Sequence, residues 1–166
     1  LSTIAFCTKI FGFIEKLAFI VMEFLDGVPL SSVIRIKGAI PDEKQITLAI
    51  KILEGLSAAH KENVVHRDLK PANIMLIKNL EPVITDFGLA QYYGKKTVTP
   101  EHSIFGTPAY MAPEQIIEGG KVDHRADLYA FGMLLFEMVT LHYPFDDSNY
   151  YKLLYSHVNE IPPSPM

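Results

Sequence analysis

The sequence predicts an α+β fold in which strands come first and helices follow. Three observations predict it. Apolar segments rich in Ile, Phe and Val open the chain, helical spacing takes over later, and no regular β–α–β alternation links the two. A stretch at 123–141 is apolar almost all round, the pattern of a helix inside a core. The chain is 49% hydrophobic and 20% charged over 166 residues, enough to build a core and too apolar for disorder.

The elements follow in order. Residues 8–15 and 17–24 read as two strands joined by a tight turn at Glu15-Lys16. Asp26-Gly27 and Pro29 break the chain, and a short helix is expected at 30–37. Pro41 suits the first turn of a second helix, with Asp42 and Glu43 favourable at its positive end. Ile46, Ala49, Ile50, Leu53 and Leu56 recur at spacings of three and four and give that helix one apolar face to about His60. Residues 64–73 read as a loop, and 74–77 and 82–85 as short strands around a turn bearing Asn79. From Asp86 to Glu114 no period runs, and Gly88, Gly94, Pro100, Gly106, Pro108 and Pro113 punctuate the segment; a loop this long is usually functional. After the apolar helix at 123–141, residues 150–158 form one more short helix.

Fifteen Lys and Arg against nineteen Asp and Glu leave a net charge of −4, which argues against a protein that lives on nucleic-acid phosphates or anionic lipid. The single cysteine, Cys7, excludes an internal disulfide framework and an all-cysteine metal site, and fits a reducing compartment. The apolar run from Leu17 to Met22 is too short for a membrane span. Neither end resembles a natural terminus: Leu1 opens inside apolar sequence and Met166 closes just after Ile161-Pro162-Pro163-Ser164-Pro165. The expectation is a domain cut at both ends.

Four motifs carry the chemistry. They are His66-Arg67-Asp68-Leu69-Lys70-Pro71-Ala72-Asn73, then Asp86-Phe87-Gly88, then Gly106-Thr107-Pro108-Ala109-Tyr110-Met111-Ala112-Pro113-Glu114, and finally Asp127 with Gly132 five positions on. Asp68, Asn73 and Asp86 are hard oxygen donors of the kind Mg²⁺ takes together with phosphates and water. Asp68 sits between the cations Arg67 and Lys70. Phosphoryl transfer needs a positioned metal, a positioned nucleophile and charge neutralisation more than covalent chemistry. Taken singly, Asp-Phe-Gly is compatible with a plain turn, His66 with a packed core histidine, and Thr97, Thr99 and Ser103 with ordinary loop hydroxyls. The run 66–73 is specific, and chance does not produce all four motifs in this order.

With these residues in view, the chain resembles the protein kinase family, in its eukaryotic-type Ser/Thr branch and most closely in the form found in bacteria. The resemblance covers about residue 6 onward and implies a kinase-like fold: small-lobe strands and hinge over 1–25, and most of the mainly helical large lobe over 26–166. It implies ATP and Mg²⁺ as cofactors. Asp68 then matches the catalytic aspartate that orients a hydroxyl and takes its proton, and Lys70 the lysine that touches the γ-phosphate in Ser/Thr kinases. Asn73 and Asp86 match the metal ligands. Met22 matches the residue beside the adenine pocket, Glu23 to Leu25 the hinge that pairs with adenine, and Met75 the floor under the ring.

The same resemblance makes His66 and Phe87, with Ile10, part of the packed column between lobes. It makes Asp127 the partner of the backbone near His66. Arg67 becomes the cation that pairs with an activation-loop phosphate, for which Ser103, Thr97 and Thr99 are the candidate acceptors. Thr107 falls in the substrate-binding loop, and Glu114 in an ion pair with an arginine beyond Met166. No Gly-x-Gly-x-x-Gly occurs, and Lys9, Lys16 and Glu15 fall in the wrong places for the strand lysine and helix glutamate, so these are expected upstream. The isolated chain is accordingly expected to be marginally stable and nearly inactive.

The functional expectation is ATP-dependent phosphorylation of protein Ser/Thr. A pseudokinase scaffold is the alternative, and a small-molecule phosphotransferase a weaker one, because the segment 97–114 suits a peptide platform. A protein substrate is implied, with no nucleic acid, no membrane segment within the chain and a cytoplasmic location, an anchor elsewhere being left open. A dimer for trans-autophosphorylation is compatible with that segment.

Overall fold

A computed structural model describes residues 8–14, 17–37, 40–87, 108–117, 121–146 and 148–165. Strand β1 (Thr8–Ile14) pairs antiparallel with β2 (Leu17–Met22), with Ile14 opposite Leu17. The residues of the expected turn, Glu15 and Lys16, lie outside the described set. A second antiparallel sheet orders β3 (Val28–Pro29), β4 (Ile74–Ile77) and β5 (Glu81–Ile84) side by side. Asn79 and Leu80 take positive φ of 63° and 59° in the turn between β4 and β5. Asn tolerates that conformation, which is why the turn forms at this point.

Gly27 lets the chain leave β2 and lie down on this sheet. A Cβ there would stand 2.5 Å from the carbonyl oxygen of Leu76, so any larger residue would push β3 off β4. Pro29 pairs with Met75, so the segment after β2 is registered against the strand that carries Met75.

The expected helix at 30–37 is not one. Only Leu30–Ser32 make a 3₁₀ turn, followed by irregular turns. Val33 and Ile34 both bond back to the Leu30 carbonyl, and Ile36 to Val33, so the ladder never propagates. The two serines and three β-branched residues here disfavour a helix.

Helix α1 (Asp42–Lys61) starts where Pro41 predicts, with the Pro41 carbonyl accepting from the Lys44 and Gln45 amides. Its buried stripe corrects the expected one. Ala49 and Leu56 of the expected face are buried, together with Leu48, Ile52, Gly55 and Ala59, whereas Ile46, Ile50 and Leu53 are exposed. The helix carries two apolar faces. The small Ala49, Gly55 and Ala59 make one of them flat enough for close packing on β5 and on helix α3.

A short helix α2 (Pro113–Ile116) and a 3₁₀ turn at Pro108–Tyr110 lie inside the segment expected to hold no element. Pro113 is preorganised for a first helical turn, and two bonds between Ala112 and Gln115 close it. Helix α3 (Arg125–Thr140) buries Ala126, Asp127, Ala130, Phe131, Met133, Leu134, Glu137 and Met138, while Leu128, Gly132 and Val139 are exposed. It is thus buried on one side rather than all round. Its end is set by Leu141, left-handed at φ 65°. Helix α4 (Tyr150–Asn159) is capped by the Asn149 side chain, which accepts from the Lys152 amide. The core runs between α1, β4, β5 and α3, closed by Tyr110, Phe145 and Leu153. Among the described residues no helix is long and apolar enough to cross a membrane.

Candidate active site

The loop between α1 and β4 carries the first motif, and hydrogen bonds hold His66, Arg67, Asp68, Lys70 and Asn73. His66 is fully buried. Its Nε2 lies 2.8 Å from the Thr85 carbonyl, and its Nδ1 accepts from the Asp68 amide at 3.2 Å. Those two bonds require the neutral ring with the proton on Nε2. Burial pushes its pKa below the ordinary value, in agreement. The ring packs on Phe87 with centroids 4.7 Å apart.

Asp127, buried at the start of α3, accepts from the His66 amide at 2.9 Å and the Arg67 amide at 2.8 Å. Its second function is to bind His60, whose Nε2 is 2.7 Å from Oδ2. Arg67 sits in the left-handed region at φ 67°, so the chain turns sharply just before Asp68.

Asp68, Lys70, Asn73 and Asp86 come together. Lys70 Nζ donates to Asp68 Oδ2 at 2.7 Å. Asn73 Nδ2 donates to the Asp68 carbonyl at 2.8 Å and to Oδ2 at 3.3 Å. The Thr85 amide and hydroxyl both donate to the Asn73 carbonyl, and the same hydroxyl lies 3.3 Å from Asp86 Oδ2. Asp86 is left-handed at φ 62°, which turns the chain at the end of β5. Thr85 is a site residue that the motifs did not single out, although it directly precedes Asp86.

Two oxygens have no hydrogen-bond partner among the described residues. Asn73 spends its nitrogen on Asp68, leaving Oδ1 as a donor atom for a cation. Asp68 receives both its partners on Oδ2, leaving Oδ1 for an incoming hydroxyl. Among the described residues there is no cluster of three carboxylate, imidazole or thiolate groups. Two protein oxygens, from Asn73 and Asp86, fit a Mg²⁺ that completes its shell with phosphates and water.

The remaining expected positions are less tightly held. Met22 and Glu23 are exposed and Leu25 is half-buried after β2; Met75 is half-buried in β4. Ile10 is placed by its backbone in β1. Thr97, Thr99, Ser103 and Thr107 lie outside the described residues. Glu114 is half-buried and lines an open cleft with Lys121, Arg125 and Tyr129. Arg125 has its pKa raised chiefly by its hydrogen bond to Asp123, with a smaller contribution from the Glu114 charge.

A model of the protein kinase domain matches residues 3–164. This chain belongs to the protein kinase family. A probable serine/threonine-protein kinase of Clostridium perfringens is 38% identical over 151 residues, which are 90% of this chain and 22% of that protein. A probable serine/threonine-protein kinase of Streptomyces coelicolor is 38% identical over 152 residues, with the same shares. The serine/threonine-protein kinase PknB of Mycobacterium leprae is 36% identical over 151 residues, 89% of this chain and 24% of its own length. The kinase domain described above thus spans less than a quarter of the length of these relatives. Its α+β architecture, helices with small antiparallel sheets, is that of the family.

A wall of this site escaped the motifs. Glu137, buried in α3, accepts from the Tyr110 hydroxyl and from Arg35 Nε at 2.6 Å, and the Arg35 guanidinium lies 3.8 Å from the Tyr143 ring centroid. These residues border a cavity that Lys70 also lines. An acidic residue inside an otherwise apolar helix was the available signal.

Proposed function

We propose that this chain is catalytic-domain sequence of a protein serine/threonine kinase, with residues 1–25 giving small-lobe strands and hinge and the rest large lobe. The observation that supports it is the direct hydrogen bonding of Asp68, Lys70 and Asn73, with Asp86 joined through Thr85. The named relatives are Ser/Thr kinases, and no member of this set is replaced.

Asp68 Oδ1 accepts the proton of the substrate hydroxyl while Lys70 keeps Oδ2 neutralised. Lys70 also lends its charge to the transferring phosphoryl group. Asn73 Oδ1 and the Asp86 carboxylate hold Mg²⁺; when bound, Mg²⁺·ATP supplies the phosphoryl group and offsets its negative charge. Met22, Glu23, Leu25 and Met75 form the adenine side of the site. Arg67 receives a phosphate on Thr97, Thr99 or Ser103, placed there by a second copy of the kinase. Use of ATP implies a cytoplasmic domain.

The test is Asp68→Asn in the full-length protein, which keeps the shape and removes the base. Phosphotransfer to a Ser/Thr peptide should fall by about 10²- to 10⁴-fold. An unchanged rate would sink the assignment.

A further inference from the structure

We infer that Gln115 is a positioning residue for the catalytic loop: its side-chain amide fixes the peptide unit between Arg67 and Asp68. This rests on the kinase reading of Asp68.

Arg67 holds an unfavourable backbone, left-handed at φ 67° in a residue with a full side chain. Such a conformation persists only where its surroundings hold it. Three contacts do so. The Arg67 amide donates to Asp127 Oδ1 at 2.8 Å, and the Asp68 amide to His66 Nδ1 at 3.2 Å. The Arg67 carbonyl accepts from Gln115 Nε2 at 2.8 Å. The Arg67 carbonyl and the Asp68 amide belong to one peptide unit, so Gln115 and His66 grip that unit from opposite edges.

Asp127 and His66 belong to the core beneath the loop. Gln115 reaches the loop from α2, 48 positions further along the chain. It is the contact through which the segment 108–117 meets the backbone at Asp68. Its orientation is not free to reverse. Gln115 Oε1 accepts from the Ala112 amide at 3.0 Å, which commits the oxygen and turns Nε2 toward Arg67. Ala112 is fully buried, so the anchor of this lever is fixed. The order of α2 is therefore coupled to the aim of the Asp68 carboxylate.

A bland role is also available to Gln115, as a cap for its own short helix through Ala112. Gln115→Glu separates the two. It keeps an oxygen for the Ala112 amide and replaces the Nε2 donor by an oxygen facing the Arg67 carbonyl. Gln115→Leu removes both bonds.

In the full-length protein, both variants should lower kcat about tenfold, with KM for ATP and for a Ser/Thr peptide within about twofold. Amide hydrogen exchange at Asp68 should quicken in both, while the thermal midpoint changes little. Gln115→Glu with wild-type kcat and unchanged Asp68 exchange would overturn the inference. A full-length wild-type protein without phosphotransfer, but with faster Asp68 exchange in both variants, would sink the kinase reading and support the clamp.

Discussion

Asp127 and Arg67 are 60 positions apart, yet Asp127 Oδ1 takes the Arg67 amide proton across 2.8 Å. The carboxylate at the head of α3 holds two successive amides of the loop that carries Asp68, since Oδ2 takes that of His66. Removing it strands both donors in a region where water is scarce. Asp127→Ala should destabilise the domain by about 2–6 kcal/mol, from about 1–3 kcal/mol per unsatisfied donor. Asp127→Asn keeps one oxygen and should cost less. Urea unfolding at constant slope measures both; equal midpoints for Asp127→Ala and wild type would refute the anchoring role.

Glu137 is a buried carboxylate whose only cation among the described residues is Arg35, with side-chain exposures of 2% and 47%. That asymmetry sets the expected order of effects. Arg35→Ala leaves a buried charge with the Tyr110 hydroxyl alone and should cost about 3–5 kcal/mol. Tyr110→Phe removes one charge-assisted bond and should cost about 1.5–3 kcal/mol. Arg35→Ala milder than Tyr110→Phe in thermal unfolding would contradict this assignment.

Much of this was legible in the sequence, and the failures have physical causes. The hairpin β1–β2, the start of α1 at Pro41 and the turn at Asn79 follow from local chemistry, so they could be read locally. The motif residues Asp68, Lys70, Asn73 and Asp86 could be named, and they do meet. The buried stripe of α1 could not be chosen, because Ile46, Ile50 and Leu53 repeat as regularly as Leu48, Ile52 and Leu56. Only the facing surfaces of β5 and α3 select the second set. The contacts of Gln115 with Arg67 and of Glu137 with Arg35 join residues 48 and 102 positions apart and leave no period to read. The helix expected at 30–37 failed because serines and β-branched residues overrode a short apolar pattern.

Asp86 should be essential for nucleotide binding with metal. A ligand that binds only the folded state stabilises it, by about 2.7 kcal/mol at a hundredfold excess over Kd. ATP with Mg²⁺ should therefore raise the thermal midpoint of the wild-type full chain, and chelation should remove most of the rise. Asp86→Asn is the informative variant, because Asn tolerates the φ of 62° and weakens only the metal ligand. Its midpoint without ligand should match wild type, and its rise with ATP and Mg²⁺ should be much smaller. A full-sized rise in Asp86→Asn would remove this carboxylate from the metal site.

Acid should destabilise the domain through its buried imidazoles. Burial lowers the pKa of both His66 and His157 below the ordinary value near 6.5. Burial and the Asp68 amide, which donates to His66 Nδ1, favour the neutral ring against the Thr85 carbonyl at Nε2, and the Tyr129 hydroxyl lies 2.8 Å from His157 Nδ1. Below about 6.5 the unfolded chain takes up protons that the folded chain refuses, so unfolding gains free energy as pH falls. The stabilisation is complete above that value and is lost as pH drops toward the folded-state pKa values. The thermal midpoint should hold from pH 8 to 7 and decline below about 6.5. His157→Asn keeps an acceptor for Tyr129 and cannot take the proton, so its midpoint should decline less steeply over the same range. A wild-type midpoint that rises on acidification through this window would show that these rings are charged in the folded state.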